Sequence, residues 1–165
     1  MEIIRVDTKV EYGGKLFISS DIDDWEELHQ RDITVVVDVD GSLDDVPKDP
    51  QDLLYVYFPF DDKDLPDREM LHGVAVLVAT LARHERILAH CSMGYNRSCL
   101  VMGLALTYLG ISGAEAMEHL RSIRPGALFN PIFSAYLEST PASRVEGAHG
   151  PLGDSGDWWI DGKRD

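Results

Sequence analysis

Apolar residues along this chain fall into short dense runs separated by stretches in which they recur every three or four positions. The dense runs, Glu2–Val6, Lys15–Ser19, Ile33–Val39, Leu53–Phe58 and Arg86–His90, have the length and content of strands. The first two are expected to face each other across Tyr12-Gly13-Gly14 as a hairpin. Ile33–Val39 should be a central strand, and the last two should be buried. Helical spacing predicts a helix over Ile22–Gln30, with Ile22, Trp25 and Leu28 on one face and Asp21 or Ser20 as its cap. A second helix is expected over Asp67–Glu85, and a core helix from Ser98 through Leu109. Ser112 and Glu115 open a fourth helix that Arg124-Pro125 ends, and Asn130-Pro131 opens a fifth through about Leu137. This order predicts an α/β domain with a mixed central sheet flanked by helices.

The strand at Arg86–His90 runs into Cys91, and a core helix begins at Ser98, so Cys91 to Arg97 is a turn from a strand end to a helix start. A helix N-terminus carries unpaired N–H groups and roughly half a positive charge, which favours anions and stabilises a thiolate facing it. Arg97 adds a fixed cation whose fork can grip two oxygens of a phosphate. Gly94 allows a turn where a Cβ would clash. Ser92, Met93, Tyr95 and Asn96 need supply only backbone N–H groups, a nest for the oxygens of a tetrahedral anion.

His90-Cys91-x-x-Gly94-x-x-Arg97-Ser98 resembles the signature loop of the cysteine-dependent protein tyrosine phosphatases, and its GYNRS ending resembles the small dual-specificity branch. The likeness extends over roughly Leu53 to Leu137. It implies a protein tyrosine phosphatase-like fold of the dual-specificity type, with the loop at a strand's carboxyl end, and two-step hydrolysis of a phosphomonoester. In that reaction the Cys91 thiolate attacks phosphorus, and Arg97 with the loop amides of Ser92 to Asn96 holds the phosphoryl oxygens. Ser98 then stabilises the departing thiolate. His90 supports the loop and the thiolate through hydrogen bonding. An acid on a loop near the pocket must protonate the leaving oxygen. Phe58-Pro59-Phe60-Asp61-Asp62 resembles the family's acid loop, with Asp62 matching the acid, Asp61 and then Asp64 being the alternatives. The Arg124-Pro125 and Asn130-Pro131-x-Phe133 ending also resembles the family. Arg124 is either a contact for a second substrate anion or a cation at a helix C-terminus. No metal or other cofactor is expected.

The resemblance favours a phosphoprotein substrate carrying phosphotyrosine, with phosphoserine and phosphothreonine open. Phosphoinositide-cleaving relatives tend to be basic at the variable loop positions, whereas Ser92, Met93, Tyr95 and Asn96 are uncharged. Asn96 before Arg97 resembles the RNA 5′-phosphatase branch. Against it stand 29 acidic residues to 15 Lys plus Arg and a net charge of −14, which repel polyanions and make nucleic acid and anionic membranes poor partners. A silent phosphate-binding module and rhodanese-type sulfur transfer are the readings from other classes.

The 165 residues suit one catalytic domain over 1–139, followed by a Gly-, Pro- and Asp-rich tail over 140–165 in which Trp158 and Trp159 are candidates to dock on the domain or a partner. Two cysteines do not make a secreted framework. With no leader pattern and no long apolar run, a cytoplasmic protein is expected. Cys99 reads as a packed core thiol, with a role as oxidation partner of Cys91 as the alternative. His72 and His84 read as surface or capping residues, and the acidic, Pro-interrupted loop from Asp40 to Asp52 as solvated. Oligomeric state is unknown.

Overall fold

The computed structural model describes residues 1–6, 14–47 and 52–145. Tyr12 and Gly13 of the expected turn, and Trp158 and Trp159, lie outside the described residues.

Five strands form one mixed sheet. They are β1 (Ile3–Val6), β2 (Lys15–Ser19), β3 (Val35–Asp38), β4 (Leu54–Tyr57) and β5 (Arg86–His90), in the spatial order β1-β2-β5-β3-β4. β1 and β2 are antiparallel and the other pairs are parallel. β5 is the middle strand, and its last residue, His90, is aligned with Ser19 of β2 on one side and Asp38 of β3 on the other. Alternation along the strands divides the sheet into two faces. Leu16, Ile18, Val35, Val37, Ile87 and Ala89 enter the larger core, while Phe17, Val36 and Leu88 enter a smaller one.

The helices are α1 (Trp25–Gln30), α2 (Arg68–Leu81), α3 (Arg97–Tyr108), α4 (Gly113–Ile123) and α5 (Pro131–Glu138). α1 covers the smaller core through Leu28, and the other four supply the larger. α3 is buried from Ser98 to Thr107, as its lack of a polar stripe predicts. α4 begins with the expected capping box: Glu115 N–H donates to Ser112 Oγ, and Ser112 N–H donates to the Glu115 carboxylate. α5 has Pro131 in its first turn and Asn130 as its cap.

Several expectations need correction. Leu53–Phe58 gives an edge strand whose Leu54 and Tyr57 are exposed, because β4 has a neighbour on only one side. An apolar run does not distinguish an edge from a centre. α1 starts at Trp25, and its cap is Asp24, whose carboxylate accepts from the N–H groups of Glu26 and Glu27; Asp21 and Ser20 take no part. His72 is half-buried, 2.7 Å from the hydroxyl of Tyr108 through Nδ1 and 2.7 Å from that of Tyr136 through Nε2, so it ties α2 to α3 and α5. Burial holds its pKa below the ordinary histidine value.

Past α5 the chain turns back along α3. Ser143 N–H donates to Thr107 O, Val145 N–H to Tyr108 O, and Val145 packs on the larger core. Gly113 makes this return possible, since a Cβ there would lie 1.6 Å from the carbonyl oxygen of Leu137. Gly113→Ala is therefore expected to lower stability by roughly 1–3 kcal/mol or more, the range of core overpacking. The readout is a lower urea midpoint at unchanged m-value; a midpoint equal to the native chain's would contradict this packing.

Candidate active site

Because β5 is flanked on both sides by parallel strands, its end is held on two ladders, and Cys91 follows in a fixed position at the carboxyl edge of the sheet. Cys91 is buried, with Gly94 N–H donating to Sγ at 3.2 Å and Ser98 Oγ at 3.4 Å. Gly94 has φ +70, and a Cβ on it would stand 2.5 Å from the carbonyl oxygen of Ser19. Only glycine fits a position that is both left-handed and pressed against a neighbouring strand. Leu128 N–H donates to Tyr95 O at 2.8 Å, tying the loop to the segment before α5.

Arg97 opens α3 and its guanidinium is held on one edge. Nη1 lies 3.3 Å from Val39 O and 3.2 Å from Phe60 O, and Nη2 lies 2.8 Å from Asp40 Oδ1. Nε is buried and has no partner, so Nε and the second Nη2 hydrogen are the donors left for a ligand. A pocket opens beside them, lined by Asp62, Cys91, Ser92, Met93, Tyr95, Asn96, Arg97 and Phe129. Gly94 and Ser98 are buried and do not line it. Asp62 comes from the loop between β4 and α2. Its carboxylate accepts from Asn96 Nδ2 at 2.8 Å and from Asn130 Nδ2 at 2.9 Å. Asp61 and Asp64 are exposed and do not line the pocket.

Behind the cysteine sits an acidic group. His90 Nε2 lies 2.8 Å from Asp44 Oδ2 and 3.6 Å from Asp38 Oδ1. The closer approach has the distance of an ion pair without the alignment of a hydrogen bond. The hydroxyl of Tyr55 donates to Asp38 Oδ2 and lies 3.0 Å from Asp44 Oδ2. Burial raises the Asp38 pKa, opposed by the Tyr55 hydrogen bond. Asp38, Asp44 and His90 bring three ligand-type atoms within 4.8 Å, a cluster whose carboxylates already serve Tyr55 and His90.

Arg124 stands where the second of its two readings puts it, at the C-terminal end of α4. It is buried at the C-cap of α4, with its guanidinium 3.9 Å from the ring centroid of Tyr95, Nη2 donating to Met93 O at 2.9 Å and Nη1 3.3 Å from Glu2. It supports the signature loop from behind.

No family model matches the chain. Protein tyrosine phosphatase type IVA 2 of the mouse is 31% identical over 117 residues, 68% of this chain and 70% of that protein, and its rat counterpart aligns equally well. The chain belongs to the cysteine-dependent protein tyrosine phosphatases. Among solved structures, human DUSP28 superposes with a TM-score of 0.67 at 25% identity, covering 82% of this chain and 90% of that one. A mouse putative dual specificity phosphatase complexed with zinc tungstate gives 0.65 at 26% identity, covering 74% and 79%. The mixed α/β fold is thus that of the protein tyrosine and dual-specificity phosphatases.

In this phosphatase-family loop the two cysteines differ sharply. Cys99 is fully buried in α3, its Sγ 3.6 Å from Gly94 O, and burial together with the neighbouring Cys91 pushes its thiol up to about 12. Four neighbours of the site are not read as such from the sequence. Asp40 and Asp44 belong to the loop expected to be solvated, Phe129 precedes a cap, and Asn130 reads only as that cap. None lies near Cys91 in sequence, so only the fold brings them in. The contrast between the cysteines has a chemical readout. Iodoacetamide at pH 8 should alkylate Cys91 first, with Cys99 modified only in denaturant; mass spectrometry showing Cys99 labelled first in the native chain would refute it.

Proposed function

We propose that the chain is a phosphoprotein phosphatase working through a phosphocysteine intermediate. The observation that carries this reading is one pocket lined by Cys91, by Arg97 with its unpartnered Nε, and by Asp62 from the loop before α2. Cys91 thiolate attacks phosphorus, forming the S–P bond as the P–O bond to the leaving group breaks. The loop amides of Ser92 to Asn96 and the Nε and Nη2 donors of Arg97 hold the equatorial oxygens, where charge builds in the transition state. Asp62, protonated, gives its proton to the leaving oxygen. In the second half, water attacks phosphorus, the Asp62 carboxylate takes the water's proton, and the S–P bond breaks. Ser98 Oγ, 3.4 Å from Sγ, donates to the returning thiolate. Asp62 is favoured over Asp61 and Asp64 because it alone of the three lines the pocket.

Pocket chemistry supports a protein substrate. Its mouth carries Met93 and Phe129, both well exposed, and the signature loop between Cys91 and Arg97 has no cation to meet a second phosphate of an inositol ring or an RNA end. Of the relatives named above, one is by name a protein tyrosine phosphatase and one a putative dual specificity phosphatase. Both cysteines are free thiols, which suits the reducing cytoplasm; among the described residues no helix is long and apolar enough to cross a membrane.

Phosphate release from a phosphotyrosyl peptide, measured in EDTA, tests the reading. Cys91→Ser should abolish turnover, and Asp62→Asn should lower kcat by about 10²–10⁴, the usual share of a general acid. Turnover that survives in Cys91→Ser would sink the phosphocysteine route.

A further inference from the structure

We infer that Asn96 and Asn130 are positioning residues whose side-chain amides latch Asp62 over the pocket; this inference rests on the phosphatase reading above. Asp62 sits on an exposed stretch without regular structure between β4 and α2. A carboxylate there has no reason to hold one rotamer, and ordering it costs conformational entropy. Yet both of its oxygens are engaged: Oδ2 by Asn96 Nδ2 at 2.8 Å, and Oδ1 by Asn130 Nδ2 at 2.9 Å. The two amides are themselves joined, because Asn130 N–H donates to Asn96 Oδ1 at 3.0 Å. Three segments that meet nowhere in sequence, the acid loop, the signature loop and the start of α5, thus close into one triangle.

The orientation of the Asn96 amide follows from its neighbours. Turning it over would set its oxygen against the Asp62 carboxylate and its NH₂ against the Asn130 N–H. Both asparagines are buried, so neither can exchange these partners for water cheaply.

What separates a latch from ordinary packing is how each asparagine uses its helix position. Asn96 occupies the N-cap of α3, where an asparagine commonly accepts from the first-turn N–H groups, and it makes no such bond. Its side chain goes to Asp62 and Asn130 instead. Asn130 caps α5 through Oδ1, accepting from Ile132 and Phe133 N–H at 2.9 and 3.3 Å. Serine or aspartate would cap equally well. Its NH₂ is surplus to capping, and it reaches Asp62 and, at 3.2 Å, Lys63 O. The two amides occupy two of the roughly four lone-pair sites of the carboxylate, so sites remain for the catalytic proton.

The test is kinetic and uses leaving groups of different basicity on the full chain. Asn96→Ser and Asn130→Ser, the latter keeping a capping oxygen, should cut kcat/KM on phenyl phosphate, which reports only the steps through cleavage of the ester, by about ten- to a hundredfold, the scale of a misplaced catalytic group. The loss should be several-fold smaller on 2,4-dinitrophenyl phosphate, whose leaving group needs no proton. Both substrates are measured on one preparation, so a partly unfolded variant lowers both rates alike and does not imitate the split. In an Asp62→Asn background the same substitutions should add no leaving-group-dependent loss. Equal losses on both esters, or a split that persists without Asp62, would overturn the latch. Absence of turnover in the native chain would overturn the phosphatase reading and the latch with it, whereas native turnover with an even response overturns the latch alone.

Discussion

In the phosphatase reading the backbone amides before α3 must converge on a single anion, and the rest of the site depends on that constraint. The turn is made by pressing Gly94 against the carbonyl of Ser19 at φ +70, a place no other residue type fits. β5 supplies the fixed end from which the turn begins, held on two ladders, and the buried α3 supplies the fixed start at which it finishes. Between these anchors Gly94 N–H reaches Sγ, Tyr95 O is tied to Leu128 N–H, and Met93 O to Arg124. A loop with that many attachments is preorganised. On the phosphatase reading this fixes the loop amides before any ligand arrives, which is when electrostatic stabilisation costs no reorganisation.

How much of this was legible follows from distance along the chain. The signature loop is contiguous, so its nucleophile, cation and glycine, and the strand and helix around it, could be read together. The capping box at Ser112 and the proline start of α5 are likewise local, and the structure reproduces both. Asp40, Asp44 and Tyr55 were invisible for the opposite reason. Their roles come from β3 lying beside β5, which puts the chain leaving β3 next to His90 and Arg97. The edge position of β4 also depends on strand order, which no local pattern encodes. Asn130 is intermediate: its cap was readable and the use of its amide was not, because the partner lies 68 positions away.

The acidic surroundings of the site look paradoxical for the phosphate-binding role proposed above, with Asp40 on Arg97 and Asp44 on His90. Their contribution is geometric rather than stabilising. A mostly buried ion pair gives little net stability, since removing both groups from water offsets most of their attraction. Asp40 does fix what Coulomb energy alone would not: with Nη1 on two carbonyls and one side of Nη2 on Asp40, the guanidinium plane has no freedom to rotate. Only the edge carrying Nε remains to meet the ligand, and it is the orientation of that edge that lets a fork grip two oxygens at once. In the proposed reaction a phosphate therefore meets a charge that is partly neutralised but fully oriented. In a site built on converging N–H dipoles, orientation is the quantity in short supply, because the helix start and the loop amides already provide the favourable field.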